Sequence, residues 1–327
     1  MSELKKMIKS KFDYDVSNLS AWTDENELEL TTRAVTEART LGLIDIRTGI
    51  KGTQQIPLMD TELVYQDASG CDLSASGDTE LNKTNISVVE IGYMQEFCPK
   101  TLRGFFAQQA LRPGTMAEDK ELPFEKAITD YILKKNAAAL DDLIWRGDTS
   151  ISGTSNLNFF DGFATQFDAS GDVNEANDLG YAALNSTRIY AALEATYLKA
   201  VSTNEAVALS DDFTLWVNRA LFTYLQSNYA AKNNFHLDPK NPNEMTTTLF
   251  GYNVKVEAIP GLNTHNSIYG ARKSSLIFGT DLESDTDSFE LWYSQDDDKI
   301  YLRSKFSAGV TTPYFDEITK FTLEASS

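Results

Sequence analysis

The sequence predicts an α+β fold, in which helices and strands come in separated runs, rather than a doubly wound α/β sheet. Strand-like segments fill residues 44–97 and return in 274–311, whereas helical patterns dominate 98–146 and 189–226. With 327 residues and 42% hydrophobic content, the chain is large enough to bury a substantial core. We therefore expect two lobes or one elaborated domain.

Composition excludes several classes of protein. The formal net charge of −19 argues against a broad basic surface for nucleic acid. No apolar run approaches the roughly 20 residues that span a bilayer, and the start "MSELKKMIKSKF" lacks the apolar core of a secretory signal. We expect a cytoplasmic protein without a membrane partner. Cys71 and Cys98 lack CxxC spacing, so neither a disulfide framework nor a zinc site is indicated.

The first element is a basic segment, residues 1–12, with four lysines against Glu3. Its net charge of +3 leaves −22 on the rest of the chain. Apolar residues at spacings of three and four predict a short amphipathic helix, too short to be stable alone: Leu4, Met7, Ile8 and Phe12. Both a frayed terminus and a segment that docks on a partner remain open. A second helix is predicted at 31–43, ending at Gly42.

Residues 44–97 predict a long β-hairpin. Two extended segments flank the small and polar tip "ASGCDLSASGD", residues 68–78. Neither segment alternates strongly enough to bury one face, and a hairpin of this length is unstable unless it lies on other structure.

Two helices follow, each opened by a proline. The first runs from Pro99 to Pro113. The second begins at Pro123 and ends before Gly147, so its length is on the order of 36 Å. A helix of that length suits a spine on which other elements are mounted.

The second lobe begins near residue 181. One predicted helix has an apolar face at Ile189, Leu193, Tyr197 and Ala200. "EAVALS" (205–210) predicts a short strand, 211–226 another helix, and "LFGYNVKVEA" (249–258) a strand. The chain ends in strands, with "QDDD" (295–298) as the tip of a hairpin.

Candidate catalytic and metal-binding residues form no recognisable site. An EF-hand loop starting at Asp285 keeps Asp287, but Phe289 and Glu290 occupy its third ligand and glycine positions, which favours a solvated acidic turn. His236 and His265 are predicted in loops without a nucleophile motif.

Two further sequence patterns do not match a functional site. "YGARKSS" (269–275) lacks the glycine spacing of a phosphate loop, and Asp141 and Asp142 are adjacent on a helix and therefore diverge in direction. We expect no catalytic, cofactor-binding or metal site and no enzyme activity.

The order of parts resembles the major capsid proteins of tailed bacteriophages, the Hong Kong 97-like fold, particularly forms from phages of Bacteroidetes-like hosts. The resemblance covers nearly the whole chain. It is carried by "ELPFEKAITDYILKKNAAALDDLIWRGDT" (121–149), "LFGYNVKVEAIPGL" (249–262) and "SSLIFGTDLESDTDSFELWYSQDDDKIYLRSKFSAGV" (274–310).

The resemblance implies five parts of the chain. These are an N-arm (1–43), an extended loop (44–97), a peripheral domain with the spine helix (98–180), an axial domain (181–263) and a β-hairpin return to the peripheral domain (264–327). Many relatives begin with a long scaffolding segment that is removed. Because none is evident here, the resemblance implies a separate scaffold or a mature form.

The implied function is structural: hexamers and pentamers of the chain close an icosahedral shell around double-stranded phage DNA. Expected partners are further copies, a scaffold, a portal and decoration proteins, with assembly in the host cytoplasm and no sequence-specific DNA contact. The alternatives are an encapsulin-like compartment shell and, from another class, an acidic carbohydrate-active enzyme with convergent carboxylates.

Some relatives join a lysine of the extended loop to an asparagine of the peripheral domain. Lys51 and Lys83 supply amines here, but the last asparagine is Asn266, and 267–327 contains none. We therefore expect no covalent cross-linking between subunits.

Overall fold

The computed structural model describes residues 39–61, 63–66, 77–98, 124–153, 156–176, 179–232, 245–263, 265–281, 289–297 and 299–323. The helices predicted at 1–12 and from Pro99 to Pro113, and most of the helix predicted at 31–43, lie outside this part of the chain. The described residues fall into two compact units, one within 37–89, 137–283 and 307–327, and a smaller one within 90–136 and 284–306.

The described chain has a mixed α+β architecture, as predicted. The strands are β1 (Asp45–Arg47), β2 (Thr53–Thr61), β3 (Thr79–Ser87), β4 (Val89–Phe97), β5 (Asn174–Glu175), β6 (Phe213–Asn218), β7 (Thr246–Thr248), β8 (Lys255–Ile259), β9 (Ile268–Arg272), β10 (Ile277–Gly279), β11 (Phe289–Ser294), β12 (Lys299–Thr311) and β13 (Thr319–Phe321). The helices are α1 (Phe124–Arg146), α2 (Phe163–Ala169), α3 (Ile189–Thr203), α4 (Glu205–Ala208) and α5 (Arg219–Ala231). Four short 3₁₀ turns occupy Thr40–Gly42, Pro260–Leu262, Lys273–Ser275 and Phe315–Glu317.

A six-stranded mixed sheet organises the larger unit, in the order β5-β13-β9-β6-β8-β7. Its central strand β6 is buried along its whole length, pairing parallel to β8 and antiparallel to β9. Helices α3 and α5 pack with Leu215 and Val217 of β6 in one apolar core. As predicted, Ile189 and Leu193 of α3 lie in this core.

The opposite face of the sheet carries an aromatic cluster. Trp216 of β6 points away from Leu215 and Val217 because side chains alternate along a strand. The centroid of its ring lies 5.6 Å from that of Trp145, which is near the end of α1. The ring centroids of Trp145 and Phe163 are 5.4 Å apart. The cluster fixes the last turns of α1 against the sheet.

The same unit contains two smaller β structures. β1 runs parallel to β10, and β10 pairs antiparallel with the end of β12. β2 and β3 form a two-stranded antiparallel ribbon, which confirms the central part of the hairpin predicted at 44–97. The outer parts of that prediction are wrong, because β1 pairs with β10 and β4 with β12. Most of the predicted tip, residues 68–76 of 68–78, lies outside the described residues.

The smaller unit contains the hairpin of β11 and β12, with β4 also paired to β12. Ile300 and Leu302 of β12 are buried, as are Ile91 of β4 and Ile132 of α1. The turn between β11 and β12 lies at residues 295–297, as the "QDDD" prediction requires.

Two predicted elements are wrong. "EAVALS" forms helix α4 rather than a strand, because Asn204 caps it by accepting a 3.2 Å hydrogen bond from Val207 N. The helix predicted at 211–226 begins only at Arg219, behind the Asn218 cap. The preceding run of aromatic and β-branched residues forms β6 instead, since a short apolar run fits a buried strand as well as a helix.

The strand predicted at 249–258 is shorter than expected. It is confined to Lys255–Ile259, after a turn in which Gly251 has φ 88°.

Candidate assembly surface

The ribbon of β2 and β3 is fastened at its base by four isoleucines. Ile56 and Ile86 from the two strands are buried together with Ile50 and Ile277. Leu58 and Val88 pack on the edge of this cluster. The first half of the ribbon therefore has an apolar anchor on the rest of the larger unit.

Two glycines allow this close approach. A Cβ on Gly279 would lie 2.6 Å from Ile86 Cδ1, and one on Gly309 would lie 2.0 Å from the carbonyl oxygen of Ser87. Beside them, Thr311 Oγ1 donates a 3.2 Å hydrogen bond to the carbonyl of Asn85. Only a residue without a side chain fits at Gly309, so the base of the ribbon is tightly packed.

The distal half of the ribbon lacks such support. Met59 and Leu81 face each other across the strands, with 68% and 78% of their surface exposed. Beyond the end of β2, Leu63, Val64 and Tyr65 are also exposed, Tyr65 at 94%. We call these five residues the ribbon patch.

An exposed apolar surface of this kind is typical of an interaction site. Fully burying one large apolar side chain contributes about 1.5–3 kcal/mol, and a lone two-stranded hairpin is marginal in water. Contact with another surface would stabilise both the ribbon and the patch.

The same part of the ribbon is strongly acidic. Residues 57–83 contain six acidic residues and one lysine, a net charge of −5. Asp78 and Glu80 of this stretch are exposed, and Glu80 points to the face of β3 opposite Leu81 because side chains alternate along a strand. The ribbon patch is therefore an apolar surface in a negative field.

A buried polar network lies where the predicted arm meets the larger unit. Arg39 donates to Glu257 Oε2 at 2.8 Å, to Thr246 Oγ1 at 3.0 Å and to the carbonyl of Ala258 at 3.0 Å. The buried Glu257 also pairs with Lys273 at 3.3 Å. This arrangement satisfies a buried carboxylate with two cations and a hydroxyl.

The next residue is held by α1. Thr40 N donates to Asp141 Oδ1 at 3.0 Å, and Gly261 N donates to Asp141 Oδ2 at 2.8 Å. Trp145 Nε1 donates to Thr40 Oγ1 at 2.9 Å. We call Arg39, Thr40, Asp141 and Glu257 the arm anchor.

Of the two adjacent carboxylates, Asp141 has a structural role. Asp141 is buried and accepts the two backbone hydrogen bonds above, whereas Asp142 is only half-buried. Burial raises the pKa of Asp142, while Arg146 lowers it and Asp141 raises it further. The two carboxylates do not converge on a shared site.

His265 is half-buried beside Tyr269, with ring centroids 5.9 Å apart. Its Nε2 lies 3.9 Å from Asp168 Oδ2. Burial lowers the pKa of His265 and raises that of Tyr269 well above its ordinary value. Among the described residues, no nucleophile hydrogen-bonds to this imidazole.

The basic residues of "YGARKSS" are engaged in ion pairs. Arg272 binds Glu317 through two guanidinium nitrogens, Lys273 pairs with Glu257, and Ser274 Oγ donates to Asp212. This segment offers no free cation for phosphate.

Asp297 of the β11–β12 turn also has local partners. Tyr301 Oη donates to Asp297 Oδ2 at 3.0 Å, and Ser294 Oγ donates to the same oxygen at 3.3 Å. These contacts are those of a hairpin turn. Asp285, Asp287, His236 and Cys71 lie outside the described residues.

The lysines and the asparagine that a cross-link would use have different environments. Lys51 and Lys83 are exposed, Lys83 on β3 opposite Pro57. Asn266 accepts a 3.2 Å hydrogen bond from Asn218 Nδ2. Within the described part of the chain, no three His, Cys, Asp or Glu residues are grouped to hold a metal, and no helix is long and apolar enough to cross a membrane.

The sequence pointed to the hairpin but not to the patch or the anchor. Ile56 and Met59 are three positions apart and therefore lie on opposite faces of β2, but apolar residues of "IPLMD" occupy both faces, so the sequence alone does not show which face is covered. Nor does the sequence mark Asp141 as a structural acceptor. The available signal was a pair of acidic residues, Asp141 and Asp142, among the apolar residues of "AAALDDLIW".

Of the comparisons with known proteins, only the one with solved structures finds matches. No family model matches the sequence, and no curated protein matches it. Solved phage structures match over most of the chain. A chain of the satellite phage P4 procapsid, solved with its size determination protein, has 11% identity and a TM-score of 0.57, covering 90% of this chain and 97% of that one.

Two further structures agree. The capsid of Myoviridae phage XM1 matches with 12% identity and a TM-score of 0.56, covering 88% of this chain and 91% of that one. A chain of Mycobacterium phage Ogopogo matches with 11% identity and a TM-score of 0.57, covering 86% and 91%. At such identities the likeness establishes the fold: this chain has the Hong Kong 97-like fold of phage capsid proteins.

Proposed function

We propose that this chain is a major capsid protein that assembles into the hexamers and pentamers of an icosahedral shell around double-stranded phage DNA. The observation that carries the proposal is the ribbon of β2 and β3. It is packed at its base around Ile56 and Ile86 and presents Met59 and Leu81 to solvent. A neighbouring copy would complete the support that its distal half lacks.

In this proposal, the five parts of the chain defined from the sequence correspond to the parts of a capsid subunit. Residues 1–43 form the N-arm, 44–97 the extended loop, 98–180 and 264–327 the peripheral domain, and 181–263 the axial domain. Helix α1 serves as the spine of the peripheral domain. The sheet centred on β6 provides the core of the axial domain and also takes in β5, β9 and β13 from the two peripheral stretches.

Charge supports DNA as contents rather than as a ligand. A chain with a net charge of −19 repels phosphates over most of its surface, which allows dense packing without adhesion. The proposed partners are further copies, a scaffold, a portal and decoration proteins. The proposed location is the virion, after assembly in the cytoplasm of a bacterial host of the Bacteroidetes type.

Electron microscopy of the concentrated protein tests the proposal. We expect closed shells or ring-shaped capsomers from the unmodified chain. A Met59→Ser/Leu81→Ser variant should assemble poorly, because it removes the apolar contact without touching the core. Leu209→Ser is the matched control, since Leu209 is also apolar and 60% exposed but lies outside the ribbon.

Three results decide between the classes of protein. Discrete small particles at every concentration would refute the shell and favour the acidic enzyme. Shells that form equally well from both variants would exclude the ribbon patch as an assembly contact. Shells from infected or expressing cells that hold protein rather than nuclease-protected DNA would favour the encapsulin-like compartment.

A further inference from the structure

We propose that residues 41–49 act as a tie that couples the arm anchor to the base of the ribbon. While the arm anchor is intact, the tie keeps Ile50 in the isoleucine cluster beneath the ribbon. When the anchor opens, the base of the ribbon loosens. This inference goes beyond the proposed function, because it concerns contacts within one chain and is tested on unassembled protein.

The tie is short and follows one strand closely. Its nine residues separate Thr40 of the arm anchor from Ile50 of the isoleucine cluster. β1, in the middle of the tie, runs parallel to β10 in continuous register. Because the stretch is bonded to the same strand along its length, a displacement at one end is passed to the other. Three backbone hydrogen bonds flank this pairing: Asp45 N to Leu276 O at 3.0 Å, Thr280 N to Arg47 O at 3.0 Å and Ile50 N to Thr280 O at 3.2 Å.

The position of β1 depends on the two ends of the tie. All three residues of β1 are exposed, Ile46 at 37%. Within the described part of the chain, β1 is an edge strand that pairs only with β10. A three-residue edge strand that buries no side chain gains little free energy from its pairing. Its place on β10 is therefore set by the arm anchor with the buried Leu41 and Ile44 before it, and by Ile50 after it.

The strand that carries the tie also supports the ribbon. Ile277 of β10 belongs to the isoleucine cluster. A Cβ on Gly279 of β10 would lie 3.0 Å from Ile50 Cδ1 and 2.6 Å from Ile86 Cδ1. Ile50, at the end of the tie, and Ile86, in the ribbon, therefore pack on the same position of β10. Displacing Ile50 would leave a cavity beside Ile86, and the remaining cluster would pack less well.

The arm anchor is the end at which the tie can be released. Its contacts are polar, and the Arg39 side chain is 31% exposed. When Arg39 leaves, Glu257 keeps Lys273 as a counter-ion at 3.3 Å. The isoleucine cluster, by contrast, is apolar and buried. Contacts near the surface open locally at lower free energy than a packed core does. The anchor therefore opens before the cluster.

The end of β12 limits how far the ribbon can move. Thr311 Oγ1 donates to the carbonyl of Asn85, and Gly309 packs against Ser87. Neither contact involves the tie. We therefore expect release of the anchor to loosen the base of the ribbon rather than to detach it.

Hydrogen exchange, followed by mass spectrometry on the full-length unassembled chain, tests the coupling. Arg39→Ala removes three hydrogen bonds from the arm anchor. We expect the amides of 50–56 and 84–88 to exchange faster by about fivefold or more, the lower end of coupling between sites in proteins. The amides of β6 should exchange as in the unmodified chain.

Two further variants separate coupling from a general loss of stability. Arg39→Ala/Glu257→Gln also removes the carboxylate that Arg39 would leave behind, so it opens the anchor without leaving a buried charge short of a partner. It should loosen 50–56 and 84–88 as Arg39→Ala does. Lys320→Ala is the matched control, because Lys320 also has three partners in the larger unit, none of them in the tie or the ribbon. It should not speed exchange in either stretch.

The reverse direction provides a second test, because coupling between two sites is reciprocal. Ile86→Ala should speed exchange of the Thr40 amide, which donates to Asp141, followed in a peptide of residues 39–43. Leu81→Ala, at a 78% exposed position of the same strand, should leave that amide unchanged.

Three outcomes would overturn the proposal. The first is unchanged exchange at 50–56 and 84–88 in both Arg39 variants. The second is an unchanged Thr40 amide in Ile86→Ala. The third is an equal rise at β6, which would mean that the whole unit is destabilised. Whether the unmodified chain forms shells is measured separately, so failure of the coupling leaves the proposed function standing.

Discussion

The backbone N–H of Thr40 donates a 3.0 Å hydrogen bond to Oδ1 of Asp141, a residue 101 positions later in the chain. The other carboxylate oxygen accepts from Gly261 N at 2.8 Å. One buried side chain thus joins the end of the predicted arm, helix α1 and the turn that follows β8.

Asp141→Ala should lower the free energy of unfolding by about 2–5 kcal/mol, because it leaves two buried N–H groups without acceptors at about 1–3 kcal/mol each. Asp141→Asn keeps the volume and one acceptor oxygen, so its loss should be smaller. Urea denaturation of the unassembled chain measures both. Asp142→Asn, at the neighbouring half-buried position, is the control, and an equal loss from all three variants would contradict this role for Asp141.

Gly309→Ala should destabilise the base of the ribbon. The added methyl group would lie 2.0 Å from the carbonyl oxygen of Ser87, and a backbone atom cannot move aside as a flexible side chain can. We expect a loss of about 1–3 kcal/mol and poorer assembly. Gly171→Ala is the matched control, because its methyl group would meet no atom within 4 Å. Equal thermal midpoints for the two variants would disprove the tight contact.

Acid should destabilise the fold partly through His265. Burial lowers its pKa below the ordinary 6.5, Arg146 adds to this, and Asp168 opposes it. Below pH 6.5 the unfolded chain therefore binds this proton more readily than the folded one. Stability contributed by the neutral imidazole is present above pH 6.5 and is lost as the pH falls toward the folded-state pKa. His265→Gln should flatten this part of the stability profile, measured by urea midpoints from pH 7.5 to 5; an unchanged slope would count against it.

Assembly should be slow at low ionic strength. The chain outside residues 1–12 carries a net charge of −22, so approaching copies repel each other over about 10 Å at 0.1 M salt and farther in dilute buffer. Light scattering should rise faster as NaCl increases from about 0.02 to 0.2 M. The opposite order would mean that attraction between arm and body dominates.

Mature shells should contain no covalent cross-links between subunits. Lys51 and Lys83 are exposed amines, but the described residues 299–323 contain no asparagine, and amide formation needs a lysine within about 3.5 Å of its acceptor. Shells boiled in detergent with reductant should give one band near 36.4 kDa. A ladder of multimers in that gel would refute the prediction.

The sequence predicted long, self-consistent elements well. Helix α1 is marked by Pro123 and Gly147 at its two ends, and the β11–β12 hairpin by acidic turn residues between aromatic strands. In both, local signals agree with the tertiary environment. The prediction failed at 205–218, where the Asn204 and Asn218 caps set helix starts that apolar spacing alone does not reveal.

The arm anchor and the ribbon patch were beyond such reasoning for a different reason. Hydrogen bonds such as those from Arg39 to Glu257 join residues more than 200 positions apart. The exposure of Met59 depends on whether another segment covers that face of the ribbon. The spacing of residues in a strand does not show this. Contacts between residues so far apart in the sequence are seen only in the structure.

The ribbon that suits this chain for assembly is also a hazard before assembly. A two-stranded sheet has two outer edges whose N–H and C=O groups can recruit further strands, and exposed edges of this kind promote aggregation. Pro57 removes one backbone donor from β2, and Lys83 stands directly opposite it. Together with the surrounding acidic residues, Pro57 and Lys83 would discourage edge-to-edge pairing between ribbons of different chains before the shell assembles.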